Sequence, residues 1–198
     1  MHEVEQYNVV ISQARLKKSL EKDEINQLVK QLGKEEQKLP SNHTLLIIDA
    51  EAVAGTTHLK ACIKFAIKSF SQKNNLARNL NTEIMLYLSG NRQISKAFPK
   101  VGITSGSKKL LMLNMVDISK NKQAVKQFDF NEFFKNLKIT ILDFQTNVEN
   151  IEVLSSEKVL KNLKITDKEI KLYDQGSEFI SIIEKLAIEK SALLNLEK

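Results

Sequence analysis

The chain has 198 residues, of which 42% are apolar and 27% charged, with six Gly, two Pro, no Trp and a formal net charge of +6. That length and apolar share suit one packed domain and exclude a disordered composition. A single Cys62 excludes an internal disulfide framework and a Cys-based zinc site. No apolar run reaches the roughly 20 residues of a membrane span, and the start MHEVEQYN lacks the basic and apolar regions of a signal peptide. The expected setting is the cytoplasm, with no membrane partner.

In chain order, YNVVIS at 7–12 predicts a first strand. Asp23 reads as the cap of a helix carrying Ile25, Leu28, Val29 and Leu32, stopped by Gly33. LLIID at 45–49 has the form of a buried strand. Gly55-Thr56-Thr57 opens the clearest helix, in which Leu59, Cys62, Ile63, Ala66, Ile67 and Phe70 share one face. Lys60, Lys64 and Lys68 recur every fourth residue on another face, centred roughly 140° away at 100° per residue. A short helical turn is expected near 74–80, and EIMLYL at 83–88 reads as a central strand. That strand would enter Ser89-Gly90-Asn91-Arg92-Gln93 and then a helix with Ile94, Ala97 and Phe98 facing inward, shortened or kinked by Pro99. KLLMLNMV at 109–116 and KITILDF at 138–144 predict further strands, with a poorly patterned helix over 120–134. Ser155 or Ser156 caps a helix through Leu163, Thr166 caps another through Tyr173 that ends at Gly176, and a last helix starts near Ser177. Phe179, Ile182, Ile183, Leu186 and Ala187 form its apolar face. This interleaving predicts an α/β fold, a mixed β-sheet flanked by helices, as a single domain over 1–198 with a helical C-terminal portion.

The charge is unevenly placed. From Thr56 to Leu110 there are ten Lys and Arg residues and one acid, Glu83, a net of +9; the remainder of the chain nets −3. Such asymmetry points to a polyanionic partner for the central segment, either nucleic acid or an acidic protein surface.

Catalytic patterns are weak. His2, His43 and His58 have no Cys or acid at a catalytic or metal spacing, and Cys62 lies on the apolar face of its helix. Asp49 and Glu51 are two acids at a strand end, readable as metal ligands or as turn residues. The segment from Gly102 to Lys109 has the wrong spacing for a phosphate-binding P-loop and precedes a strand, so it reads as a basic turn. Ser89 lacks the Gly-x-Ser-x-Gly pattern of a nucleophile elbow. The turn around it reads either as a strand-to-helix cap or as a ligand cradle, with helix N–H groups, the Arg92 fork and Gln93 available to an anion. Arg92, Lys96 and Lys100 form a second basic stripe matching Lys60, Lys64 and Lys68. Two such helices side by side would make a groove for a nucleic-acid backbone. A small enzyme using Asp49, Glu51 or Ser89 is the rival reading.

"DAEAVAGTTHLKACIKFAIKSF", "NLARNLNTEIMLYLSGNRQISKAF", "VGI" and "LAIEKSALL" resemble the kinase-binding regulatory subunit of the KEOPS (EKC) tRNA-modification complex, in order along nearly the whole chain. The family's usual tail is similar, with Arg where Lys190 stands and Asp where Asn195 stands. Gly55 and His58 resemble archaeal members. The resemblance implies a non-catalytic subunit, without cofactor, metal or small-molecule substrate. It implies binding to the small atypical kinase/ATPase subunit and, in archaeal members, capture of the single-stranded 3′ CCA tail of tRNA for threonylcarbamoyladenosine modification. On this reading the RNA-binding candidates are Lys60, Lys64, Lys68, Arg78, Ser89, Gly90, Asn91, Arg92, Gln93, Lys96 and Lys100. Phe98, Tyr87 and Arg92 are candidate stacking surfaces. Ile94, Ala97, Phe98, Leu193 and Leu194 are kinase-contact candidates, each equally readable as core. A purely protein-binding kinase regulator without RNA contact is the alternative.

Overall fold

The computed structural model describes residues 1–119, 127–151, 156–173 and 178–195, with the side chains of residues 156 and 195 excluded. These divide into two compact units, Met1–Ala50 with Ile103–Glu149, and Glu51–Gly102 with Asn150–Lys198.

The first unit holds a five-stranded sheet: β1 (His2–Val4), β2 (Tyr7–Leu16), β3 (His43–Asp49), β4 (Lys109–Asp117) and β5 (Ile141–Thr146). The order is β1-β2-β4-β3, with β5 also pairing β2. All ladders are antiparallel, where the alternation of strands and helices suggested a mixed sheet. His2 sits in β1, and its Nε2 lies 2.8 Å from the Val148 carbonyl. Register places Ala14, Leu110, Met112, Leu45 and Ile47 on one face. That face packs with Leu28 of α1 (Lys22–Lys38) and with Phe130, Phe133 and Phe134 of α5 (Phe130–Asn136). The cap of α1 is Glu21 rather than Asp23, in a reciprocal capping box with Glu24. The expected helix over 120–134 is observed only from Phe130, and 120–126 lie outside the described residues.

The second unit is helical. It contains α2 (Thr56–Ser71), α3 (Leu80–Ser89), α4 (Ile94–Val101), α6 (Ser156–Leu163), α7 (Asp167–Tyr173) and α8 (Phe179–Ala192), with a 3-10 turn at Leu193–Asn195; a further 3-10 turn, Ala50–Ala52, begins on the last residue of the first unit's opening segment. The expected apolar face of α2 is buried apart from the half-buried Phe70. Thr166 caps α7 in a box with Glu169, as its spacing predicts. Ser155, Gly176 and Ser177 lie outside the described residues, and Phe179 is 52% exposed rather than part of the buried face of α8.

The main correction is at 83–88. EIMLYL is helix α3, not a strand. Asn79 caps it by accepting from the Thr82 N–H, and every residue from Glu83 to Ser89 is buried. A helix surrounded on all sides loses its 3.6-residue signature, because no face is left for polar residues. The helical turn expected near 74–80 is instead irregular loop until Leu80.

Candidate functional site

In the second unit α2 packs on α3 and α8, and α3 packs in turn on α4 and α8. The α2–α3 register is fixed by two contacts. Ser69 Oγ donates to Glu83 Oε1 at 2.9 Å, and the Phe65 and Tyr87 rings lie 5.7 Å apart. The helices are therefore antiparallel. Within the two helices that register puts Lys68 level with Ile84, near the Arg78 loop. The expected cradle is altered accordingly, since α2 and α4 meet through α3 rather than as a directly packed pair. Arg78 precedes α3 and Arg92 follows it, separated by a ten-residue helix of roughly 15 Å.

Glu83 governs the Arg78 end. It is fully buried, and besides Ser69 it accepts the backbone N–H groups of Leu76 (2.9 Å) and Ala77 (2.7 Å). The only acid between Thr56 and Leu110 is thus internal, and it folds the loop on which Arg78 is exposed. Lys64 and Lys68 are exposed and Lys60 is half-buried, so every exposed formal charge in this segment is positive.

At the other end Ser89-Gly90-Asn91 is a helix C-cap, where a strand-to-helix turn was expected. Gly90 is left-handed at φ 60, and the Asn91 N–H reaches the Leu86 carbonyl at 3.2 Å, the pattern of a Schellman turn. Ser89 is fully buried and its hydroxyl donates to the Leu86 carbonyl, so it is not an accessible nucleophile. The Asn91 amide donates to the Ser89 carbonyl at 2.6 Å. Both side chains are spent on the turn, while Arg92 and Gln93 beyond it are exposed. Gln93 is the N-cap of α4 and makes no side-chain cap bond.

Helix α4 sorts its residues sharply. Ala97 and Val101 are fully buried, whereas Ile94 and Phe98, expected inward, are 45% and 44% exposed. At 100° per residue Ile94 and Phe98 flank the buried seam on one side, and Lys96 and Lys100 lie beyond its other side. Tyr87 is wholly buried and cannot stack on a base, which leaves Phe98 and Arg92. Among the tail candidates Leu193 is exposed and Leu194 is core. The structure therefore separates the kinase-contact candidates, with Ile94, Phe98 and Leu193 on the surface and Ala97 and Leu194 inside.

Lys100 is not simply part of a solvated stripe. Its ammonium donates to the Asn162 carbonyl at 2.6 Å, and the Asn162 amide donates to the Lys100 carbonyl at 3.0 Å, clasping α4 to the end of α6. Burial first, and Lys164 second, lower the Lys100 pKa. Lys161 and Lys164 at this end of α6 are exposed.

The remaining chemistry is structural. His58 is fully buried, with Nδ1 accepting from the Ala54 N–H at 3.1 Å and Nε2 lying 3.2 Å from Ser191 Oγ. Burial pushes its pKa down to about 4 and that of Cys62 up to about 12. Glu184 of α8 accepts the Thr57 and His58 N–H groups at 2.6 and 3.0 Å, filling the N-terminus of α2. Asp49 is buried and accepts from Ser107 within the basic turn. Among the described residues no group of three or more His, Cys, Asp or Glu side chains could hold a metal, and no helix is long and apolar enough to cross a membrane.

A family model for kinase binding protein CGI-121 matches residues 10–194. The chain belongs to this family. No curated protein matches it.

Proposed function

We propose that this chain is the kinase-binding regulatory subunit of a KEOPS-type tRNA-modifying assembly. It docks on the atypical kinase/ATPase subunit and recruits tRNA by its single-stranded 3′ CCA tail for threonylcarbamoyladenosine formation, and it carries out no chemistry of its own. The observation that carries this reading is the division of α4. Ile94 and Phe98 offer a desolvatable apolar strip of the kind that centres protein interfaces. Arg92 and Lys96, with Lys60, Lys64, Lys68 and Arg78, offer a surface of one sign to a phosphate backbone. Arg92 adds a planar donor able to pair with or stack on an unpaired base.

Titration of the full chain with tRNA, with tRNA lacking its 3′ CCA, and with the purified kinase subunit tests both halves. Arg92→Ala is expected to weaken tRNA binding and leave kinase binding intact. Equal affinity for the truncated tRNA overturns tail capture. A wild-type chain with no RNA affinity that still binds the kinase through Phe98 makes it a protein-only regulator.

A further inference from the structure

Resting on the RNA-recruiting reading above, we infer that the C-terminal end of α6 and the last turn of α4 form a second phosphate site, in which Lys164, Lys161 and the free protons of Lys100 hold the backbone of the polynucleotide gripped beside Gly90. Three observations converge. The first is that the reciprocal Lys100–Asn162 clasp fixes the position of one ammonium. An ammonium has three donors, and the Asn162 carbonyl takes one of them here.

The second is charge. Lys164 stands near enough to Lys100 to lower its pKa, and among the described residues no carboxylate pairs with Lys100, Lys161 or Lys164. Like charges held together without a counter-charge favour an anion between them. The last backbone carbonyls of α6 work against phosphate, and Lys100 offsets one of them, that of Asn162.

The third is continuity with the Gly90 turn. A Cβ built on Gly90 would lie 3.1 Å from Leu163 Cδ2, so the end of α6 is packed against the same turn that leads to Arg92. Lys164 has φ +54 immediately after the helix, so the chain turns there, and its side chain is exposed. A strand held at Arg92 and Lys96 therefore meets Lys164 and Lys161 next. The contact is to phosphate, so it adds affinity and salt dependence without base preference.

The test measures tRNA affinity of the full chain across a salt series for wild type, Lys164→Ala, Lys164→Arg, Lys161→Glu and Arg92→Ala, with thermal unfolding as the control for fold. Lys164→Ala is expected to lower the slope of log affinity against log salt by about 1. The affinity itself should fall about two- to five-fold, the scale of one exposed ion pair. Lys164→Arg should restore both, and the preference for an intact 3′ end should be unchanged. If Arg92→Ala weakens binding while the Lys164 and Lys161 variants match wild type in slope and affinity, the second site is wrong and the recruiting role stands. If wild type binds no tRNA at all, the role itself fails and takes this site with it.

Discussion

Replacing Glu83 by Ala should cost far more than removing an ordinary carboxylate. Its side chain is fully buried and holds three donors, the Ser69 hydroxyl and the Leu76 and Ala77 N–H groups. The single Ser69 hydroxyl proton can turn to the Ala66 carbonyl 2.9 Å away, so it is not orphaned. Ala77 N–H is buried and would be left unpaired, at about 1–3 kcal/mol. Leu76 is 37% exposed, so its N–H can turn to water and lose about 1 kcal/mol. The cavity left by the truncated side chain adds about 1 kcal/mol more. The sum is about 3–5 kcal/mol, or a fall of about 10 °C or more in Tm for a chain of this size. Glu83→Gln retains one acceptor and should cost about half as much. Urea unfolding gives the total, and amide hydrogen exchange resolved at Leu76 and Ala77 gives the local part. A loss below about 1 kcal/mol, or unchanged protection of those two amides in Glu83→Ala, would show that the loop carrying Arg78 is held by something other than this carboxylate.

Three further outcomes follow from the geometry. His58 has a folded pKa of about 4 against about 6.5 unfolded, so the folded form binds fewer protons; its contribution is whole above about pH 6.5 and is lost as pH falls toward 4, by about 3 kcal/mol across that window, and His58→Gln should flatten this part of a urea-midpoint-against-pH curve. Gly55→Ala places a Cβ 2.5 Å from Glu184 Oε1 at φ +152 and should lower stability by about 2 kcal/mol or more in the same assay, since the residue is strained and the α2 cap displaced; an unchanged midpoint would contradict the close approach. Phe98→Asp should weaken kinase binding about 30-fold or more if Phe98 is an interface anchor, with thermal unfolding unchanged, whereas Ala97→Asp, three bonds of chain away on the same helix, should unfold the unit.

Much of the fold was readable in the residues. β3 and β4 are legible as short apolar runs buried on both faces, and the apolar face of α2 from its helical spacing. EIMLYL of α3 is also a short, wholly buried apolar run, so it reads as a strand although it is a helix. On α4 the apolar positions were correctly found, but Ile94 and Phe98 were turned inward because hydrophobicity alone does not distinguish a core from an unclaimed interface. The site was legible as a cluster of cations and illegible as a geometry. Nothing in the sequence says that Glu83 binds backbone six and seven residues earlier, that Ser89 and Asn91 are consumed by a turn, or that Lys100 is tied to Asn162, since each partnership depends on a tertiary approach.

Helix α4 has eight residues, with Pro99 among them, too short to persist in water unaided. It owes its shape to Ala97 and Val101 beneath it and to the tie with Asn162. A molecule that seizes its greasy side is therefore expected to damp fraying of the whole segment and so ready the cationic side for a second guest. Cooperation between the two would then need no rearrangement of the surrounding helices, only the quieting of two turns.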